Sequence, residues 1–117
     1  MEKIITISNK DYKMKASAMT QFNYKNETGR SFLKDLQRLS SIKFDNLSEE
    51  ESIEELENIT ELTLKVAYTM IKQADNNQVV NYEDFLDNIS DLYGQTDWIN
   101  QVIELACSPL SGQLQKN

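Results

Sequence analysis

Apolar and polar residues alternate one by one near the start of the chain, then recur every three to four residues for the rest of it. Tyr12, Met14 and Ala16 interleave with Lys13 and Lys15, the period-two signature of a strand with one buried face. Ile4, Ile5 and Ile7 lie just before them. Residues 3–8 and 11–16 therefore predict two strands joined at Asn9-Lys10, where asparagine tolerates the positive φ of a tight turn. A lone hairpin is marginal in water, so its apolar face must rest on helices or on another chain.

From Ser17 the spacing is helical. Ser17 is placed to cap a short helix carrying Phe22 and Tyr24, interrupted near Asn26-Glu27-Thr28-Gly29. A second helix follows from about Arg30 to Ser41, with Phe32, Leu33, Leu36 and Leu39 on one stripe. The sequence leaves open whether Gly29 separates the two or lies inside one longer helix, where it costs about 1 kcal/mol. Residues 43–51 read as a polar connection ending in a capping box, Ser48 with Glu51. Leu56, Ile59, Leu62, Thr63, Val66, Met70 and Ile71 then hold one stripe as far as Gln73. Asn81, with Asp84 three residues on, starts a helix whose stripe is Tyr82, Phe85, Leu86, Ile89 and Leu92, closed by Gly94. Thr96 caps a last helix with Trp98, Ile99, Val102, Ile103 and Ala106, which Pro109 does not continue. The expected fold is mainly α (α+β), an N-terminal β-hairpin followed by about four to five packed amphipathic helices. One helical domain spans 1–107, hairpin at 1–16 and helices at 17–107, with 108–117 a flexible tail.

Composition then removes chemistry. The 117 residues include no histidine and a single cysteine, Cys107, so neither Cys107 nor Ser108 or Ser111 has a histidine base to activate it. Gly29, Gly94 and Gly112 are too far apart for a phosphate loop. The run from Asp75 to Leu86 superficially resembles a calcium loop. Its fifth, sixth and twelfth positions are Val79, Val80 and Leu86, where oxygen donors and a glycine are required. No catalytic, cofactor-binding or metal residue is expected, and the chain does not read as an enzyme.

The net charge of −7 opposes binding to nucleic acid or to an anionic membrane. Lys10, Lys13 and Lys15 form the one basic cluster and are expected to solvate a hairpin face. Glu49, Glu50, Glu51, Glu54, Glu55, Glu57 and Glu61 crowd one helix start, where negative charge meets the positive end of the helix dipole and no basic partner is apparent. Neither a signal peptide nor a membrane span is legible, so cytoplasmic residence is expected. Tyr12, Tyr24 and Tyr93 read as peripheral, and exposed tyrosine beside apolar residues is what a protein-binding surface uses. Ile5, Ile7, Tyr12, Met14, Phe22 and Tyr24 are the candidate partner-facing residues.

The order of elements carries a resemblance. A short hairpin precedes a Phe-rich amphipathic helix, then Leu-Lys-Val-Ala-Tyr-Thr-Met-Ile-Lys-Gln-Ala at 64–74, then Val80-Asn81-Tyr82-Glu83-Asp84-Phe85-Leu86-Asp87 and a final helix. Over residues 2–107 this resembles the tail assembly chaperones of long-tailed phages and prophages of Gram-positive bacteria. The resemblance implies a non-enzymatic helper in the bacterial host cytoplasm. It would bind the tape measure protein, keep that protein's long hydrophobic helices soluble and help recruit tail tube subunits. Such proteins are often made in short and frameshift-extended forms, and the polar end of this chain suits the shorter one. Self-association into a homo-oligomer fits the same surfaces. The alternative from a different class is a small acidic regulator or inhibitor that mimics nucleic-acid charge through Glu49–Glu61.

Overall fold

The computed structural model describes residues 1–41 and 48–110; most of the polar connection expected at 43–51, and residues 111–117 of the expected tail, lie outside the described residues. Two antiparallel strands open the chain, β1 (Glu2–Ile7) and β2 (Lys10–Lys15), with Ile5 opposite Tyr12 and Ile7 opposite Lys10. Their corner is Ser8-Asn9, one residue earlier than the sequence placed it. Both residues are left-handed, with φ of 52° and 68°, the mirror-image turn whose twist matches that of the strands. Lys10 is thereby spared positive φ and stays extended. Ser8 is held in that geometry by its own hydroxyl, whose Oγ accepts from the backbone N–H groups of Ser90 and Asp91 at 3.0 Å each.

The register gathers Ile5, Ile7, Tyr12 and Met14 on one face, all of them buried. Each such side chain removed from water contributes roughly 1.5–3 kcal/mol. That face lies on helices, as an isolated hairpin requires. Five α-helices follow among the described residues: α1 (Ala18–Thr28), α2 (Phe32–Ser41), α3 (Glu49–Ala74), α4 (Tyr82–Asp87) and α5 (Asp97–Cys107). The chain is thus an α+β fold, a two-stranded hairpin over a helical layer. α3 packs beneath β2 and α5 against β1; α1 lies along α3, and α2 touches α1, α3 and α5.

α3 is the spine. Ser48 caps it, accepting from Glu51 N at 3.1 Å while Glu51 Oε1 accepts from Ser48 N at 3.0 Å. Its buried residues begin at Ile59, and Val66, Ala67, Met70 and Ile71 are wholly enclosed. Gly29 separates α1 from α2. Its φ is 74°, and its N–H closes on the Lys25 carbonyl at 2.8 Å, a left-handed helix ending.

Some elements differ from expectation. The helix capped by Asn81 stops at Asp87 instead of reaching Gly94. Asn88 Nδ2 turns back onto the Asp84 carbonyl at 2.9 Å, the Ile89 amide tightens onto the Leu86 carbonyl at 3.1 Å, and the amides of Ser90 and Asp91 are taken by Ser8. Side-chain bonds to the backbone here outcompete helical continuation. Gly94 sits instead in a local turn, donating to Asp91 Oδ1 at 2.8 Å. Thr96 occupies the cap position of α5 but makes no side-chain cap bond. Leu33 leaves the α2 stripe and is exposed, whereas Phe32, Leu36 and Leu39 are buried. After α5, Ser108–Leu110 form one 3-10 turn with Leu110 against the core, so those three residues are not part of a loose tail. Among the described residues no helix is long and apolar enough to cross a membrane.

Candidate functional site

Of the six residues that the sequence offers as partner-facing, the structure gathers five into the core. Ile5, Ile7, Tyr12, Met14 and Tyr24 are all at most 1% exposed, while Phe22 is 54% exposed. The reading of Tyr12 and Tyr24 as peripheral is corrected; Tyr93 does lie at the surface. Tyr12 stacks edge-on against Phe85, with ring centroids 5.5 Å apart. Burial, and secondarily the charge of Asp84, push its hydroxyl pKa up, and that hydroxyl has no hydrogen-bond partner among the described residues. Tyr24 is the reverse case. Its hydroxyl donates to Asp35 Oδ2 at 2.6 Å, and Arg30 forks onto the same carboxylate at 2.8 and 2.9 Å. This buried network locks α1 to α2 across the Gly29 break. Burial raises the Asp35 pKa, but the bonds from Arg30 and Tyr24 and the charges of Arg30 and Lys65 outweigh it, leaving it below its ordinary value.

Exposed apolar side chains are spread over the surface: Val80 before α4, Ile53 early in α3, Leu33 on α2 and Tyr93, besides a group on the hairpin and α1. Met1, Ile4, Met19 and Phe22 are all more than half exposed. Met1 is tied to Ala16 by two backbone bonds, of 2.8 and 2.9 Å, which brings it to the residues just before α1. Met19 and Phe22 follow one helical turn apart, on the face of α1 opposite buried Thr20 and Tyr24.

The two edges of the hairpin are treated differently. Gln78 closes the outer edge of β2: its Oε1 accepts from Lys13 N and its Nε2 donates to Lys13 O, both at 2.8 Å. Its Nε2 also reaches the Ile71 carbonyl at 3.0 Å, fastening that edge to α3. Because the peptide groups of Lys13 point outward, those of its cross-strand partner Ile4 point outward on the other side. The sheet has two strands, and among the described residues nothing hydrogen-bonds that outer edge of β1. The basic cluster also divides. Lys13 and Lys15 stand on the solvent face opposite Ile4 and Glu2, whereas the Lys10 ammonium lies 5.3 Å from the centre of the Tyr12 ring.

A cleft of about 370 Å3 opens between α1, α3 and α4, lined by Glu27, Thr28, Lys65, Tyr68 and Tyr82. Tyr68 and Tyr82 meet edge to face at 5.2 Å. Lys72 pairs with Glu27 at 3.2 Å and lies over the Tyr68 ring. Burial, then the nearby Glu61 charge, push the Tyr82 hydroxyl up to about 12.

The reading that the glutamate face lacks a basic partner is corrected: Lys65, four residues on along α3, reaches Glu61 at 3.4 Å, and Arg38 of α2 reaches Glu55 at 3.6 Å. Among the described residues no three His, Cys, Asp or Glu side chains converge as a metal site. Cys107 is buried, which pushes its thiol pKa up against a small opposing bond from Ser40. The cleft and the Gln78 clamp escaped sequence reasoning. The only local signal was a glutamine and two tyrosines near helix ends, which ordinary packing explains equally well. No family model, curated protein or solved structure matches the chain.

Proposed function

We propose that the chain is a non-catalytic assembly helper that binds another polypeptide, of the kind its sequence resembles. It binds the tape measure protein during phage tail assembly, keeps it soluble and helps recruit tail tube subunits. The observation that carries this reading is the pair Met19 and Phe22, a turn apart and more than half exposed on α1. Two exposed apolar side chains a turn apart on one helix face of a small acidic molecule support a surface that meets an apolar partner. The net charge of −7 keeps such a complex dispersed.

Co-expression with a tape measure protein tests it. The wild-type chain raises the soluble fraction of that protein, and the double substitution Met19→Ser with Phe22→Ser removes most of the gain while leaving the helper folded. An unchanged soluble fraction with the wild-type chain refutes the reading. Inhibition of a DNA-binding enzyme, lost on charge reversal of Glu54, Glu55 and Glu57, supports the acidic-mimic alternative instead.

A further inference from the structure

We infer that Met19 is a reversible oxidation site, at which one oxygen atom from a peroxide turns the apolar face of α1 polar and shuts off polypeptide binding there. The inference concerns regulation of the surface proposed above and rests on that reading. The chain has four methionines, and the fold sorts them into two kinds. Met14 on the inner face of the hairpin and Met70 on α3 are wholly enclosed, whereas Met19 is 55% and Met1 74% exposed. A thioether reacts according to its access to the oxidant, so the two core methionines are shielded and the two surface ones are not. Of those two, Met19 is the one that shares a helix face with Phe22, a turn further along α1. The thiol of Cys107 is buried, and burial pushes its pKa up, which lowers the reactive thiolate fraction.

A lone pair of the Met19 sulfur attacks one peroxide oxygen. The S–O bond forms as the O–O bond breaks, and the second oxygen leaves as water. Sulfur is oxidised by two electrons and the peroxide is reduced by two. Two thiols of a sulfoxide reductase reverse the step, releasing the oxygen as water and ending as a disulfide. The sulfoxide oxygen is a hydrogen-bond acceptor where the thioether was apolar. Burying it against an apolar partner with no donor weakens binding, by roughly tenfold or more. In the free chain that oxygen stays in water, and the fold does not depend on the thioether. The cap of α1 uses the backbone N–H of Met19, which donates to Ser17 Oγ at 3.2 Å.

The test treats the full chain with hydrogen peroxide, removes the peroxide, and maps the added oxygen by mass spectrometry after digestion. Met19 and Met1 are oxidised roughly tenfold faster or more than Met14 and Met70, with helical circular dichroism unchanged. The oxidised chain is then mixed with tape measure protein diluted from denaturant. It loses most of the soluble fraction that the untreated chain gives, and sulfoxide reductase with a thiol restores it. Met19→Leu keeps an apolar side chain but places no sulfur there, so peroxide leaves its solubilisation intact although Met1 is oxidised. Inactivation of Met19→Leu by peroxide as readily as wild type overturns the inference. Full solubilisation by wild type oxidised at Met19 overturns it too, as does oxidation of Met14 and Met70 at the rate of Met19, and either result leaves the helper reading standing. An untreated wild-type chain that solubilises nothing refutes the helper reading, and self-association near the isoelectric point of about 4.5 then reads the same face. Oxidation that suppresses this association in wild type but not in Met19→Leu supports the switch at Met19, and equal behaviour of the two chains overturns it.

Discussion

Two buried tyrosines show how far a single atom's surroundings decide its worth. Tyr24 and Tyr12 are equally enclosed, yet one hydroxyl holds Asp35 and the other holds nothing among the described residues. Tyr24→Phe leaves a buried carboxylate short of a donor and is expected to cost about 1–3 kcal/mol. Tyr12→Phe keeps the ring on Phe85, removes an unpaired hydroxyl, and is expected to leave the protein as stable or more so. Thermal unfolding of the two variants gives shifts of opposite or clearly unequal size, and equal losses would contradict this account. Asp35 itself sets a pH limit. Its pKa is lowered in the folded protein, so its contribution is whole above the ordinary carboxylate value of about 3.9 and fades as pH falls through the lowered one. In an acid titration of Tm, Asp35→Asn is less stable than wild type at neutral pH and flattens the fall below about pH 4.

At the scale of elements, local rules were legible and long-range competition was not. The alternation around Tyr12 and Met14 showed a one-sided strand, and Ser48 with Glu51 showed a helix start, because both signals lie within a few residues. The hairpin corner and the end of α4 were misplaced for one shared reason. Ser8 captures the amides of Ser90 and Asp91 more than eighty positions away, which fixes the turn and stops the helix together. Gln73 is similar: placed at the end of the α3 stripe, it accepts from Thr20 at 2.7 Å and donates to Ser17 at 2.8 Å, joining α3 to the cap of α1. Gly29 was ambiguous because propensity prices a helical glycine without revealing its φ. With φ at 74° and no atom within 4 Å of a side chain placed there, the glycine is required by backbone conformation alone. Gly29→Ala is therefore expected to cost roughly 1–2 kcal/mol. Gly29→Asn costs less, since asparagine tolerates the left-handed region. Equal Tm for Gly29→Ala and wild type would show that the α1–α2 break relaxes freely.

The molecule as a whole balances two surface properties that the sequence shows only separately. Its excess of acids was plain from composition. Which apolar side chains stay outside was not, since Ile4 and Ile5 are adjacent and chemically alike, yet one is 61% exposed and the other enclosed. At neutral pH the charge of −7 opposes contact between copies through the exposed Met1, Ile4, Met19 and Phe22. That repulsion vanishes near the isoelectric point of about 4.5. Asp35, held below its ordinary value by Arg30 and Tyr24, keeps those bonds there while the repulsion between copies is gone. Reversible self-association is therefore expected to rise as pH falls from 7 towards 4.5, before acid unfolding begins. Sedimentation velocity shows it as growing mass with unchanged helical circular dichroism. Added salt brings the onset to higher pH by screening the repulsion, and Met19→Ser with Phe22→Ser suppresses association at every pH. Association that ignores both salt and that double substitution would place the contact elsewhere on the surface.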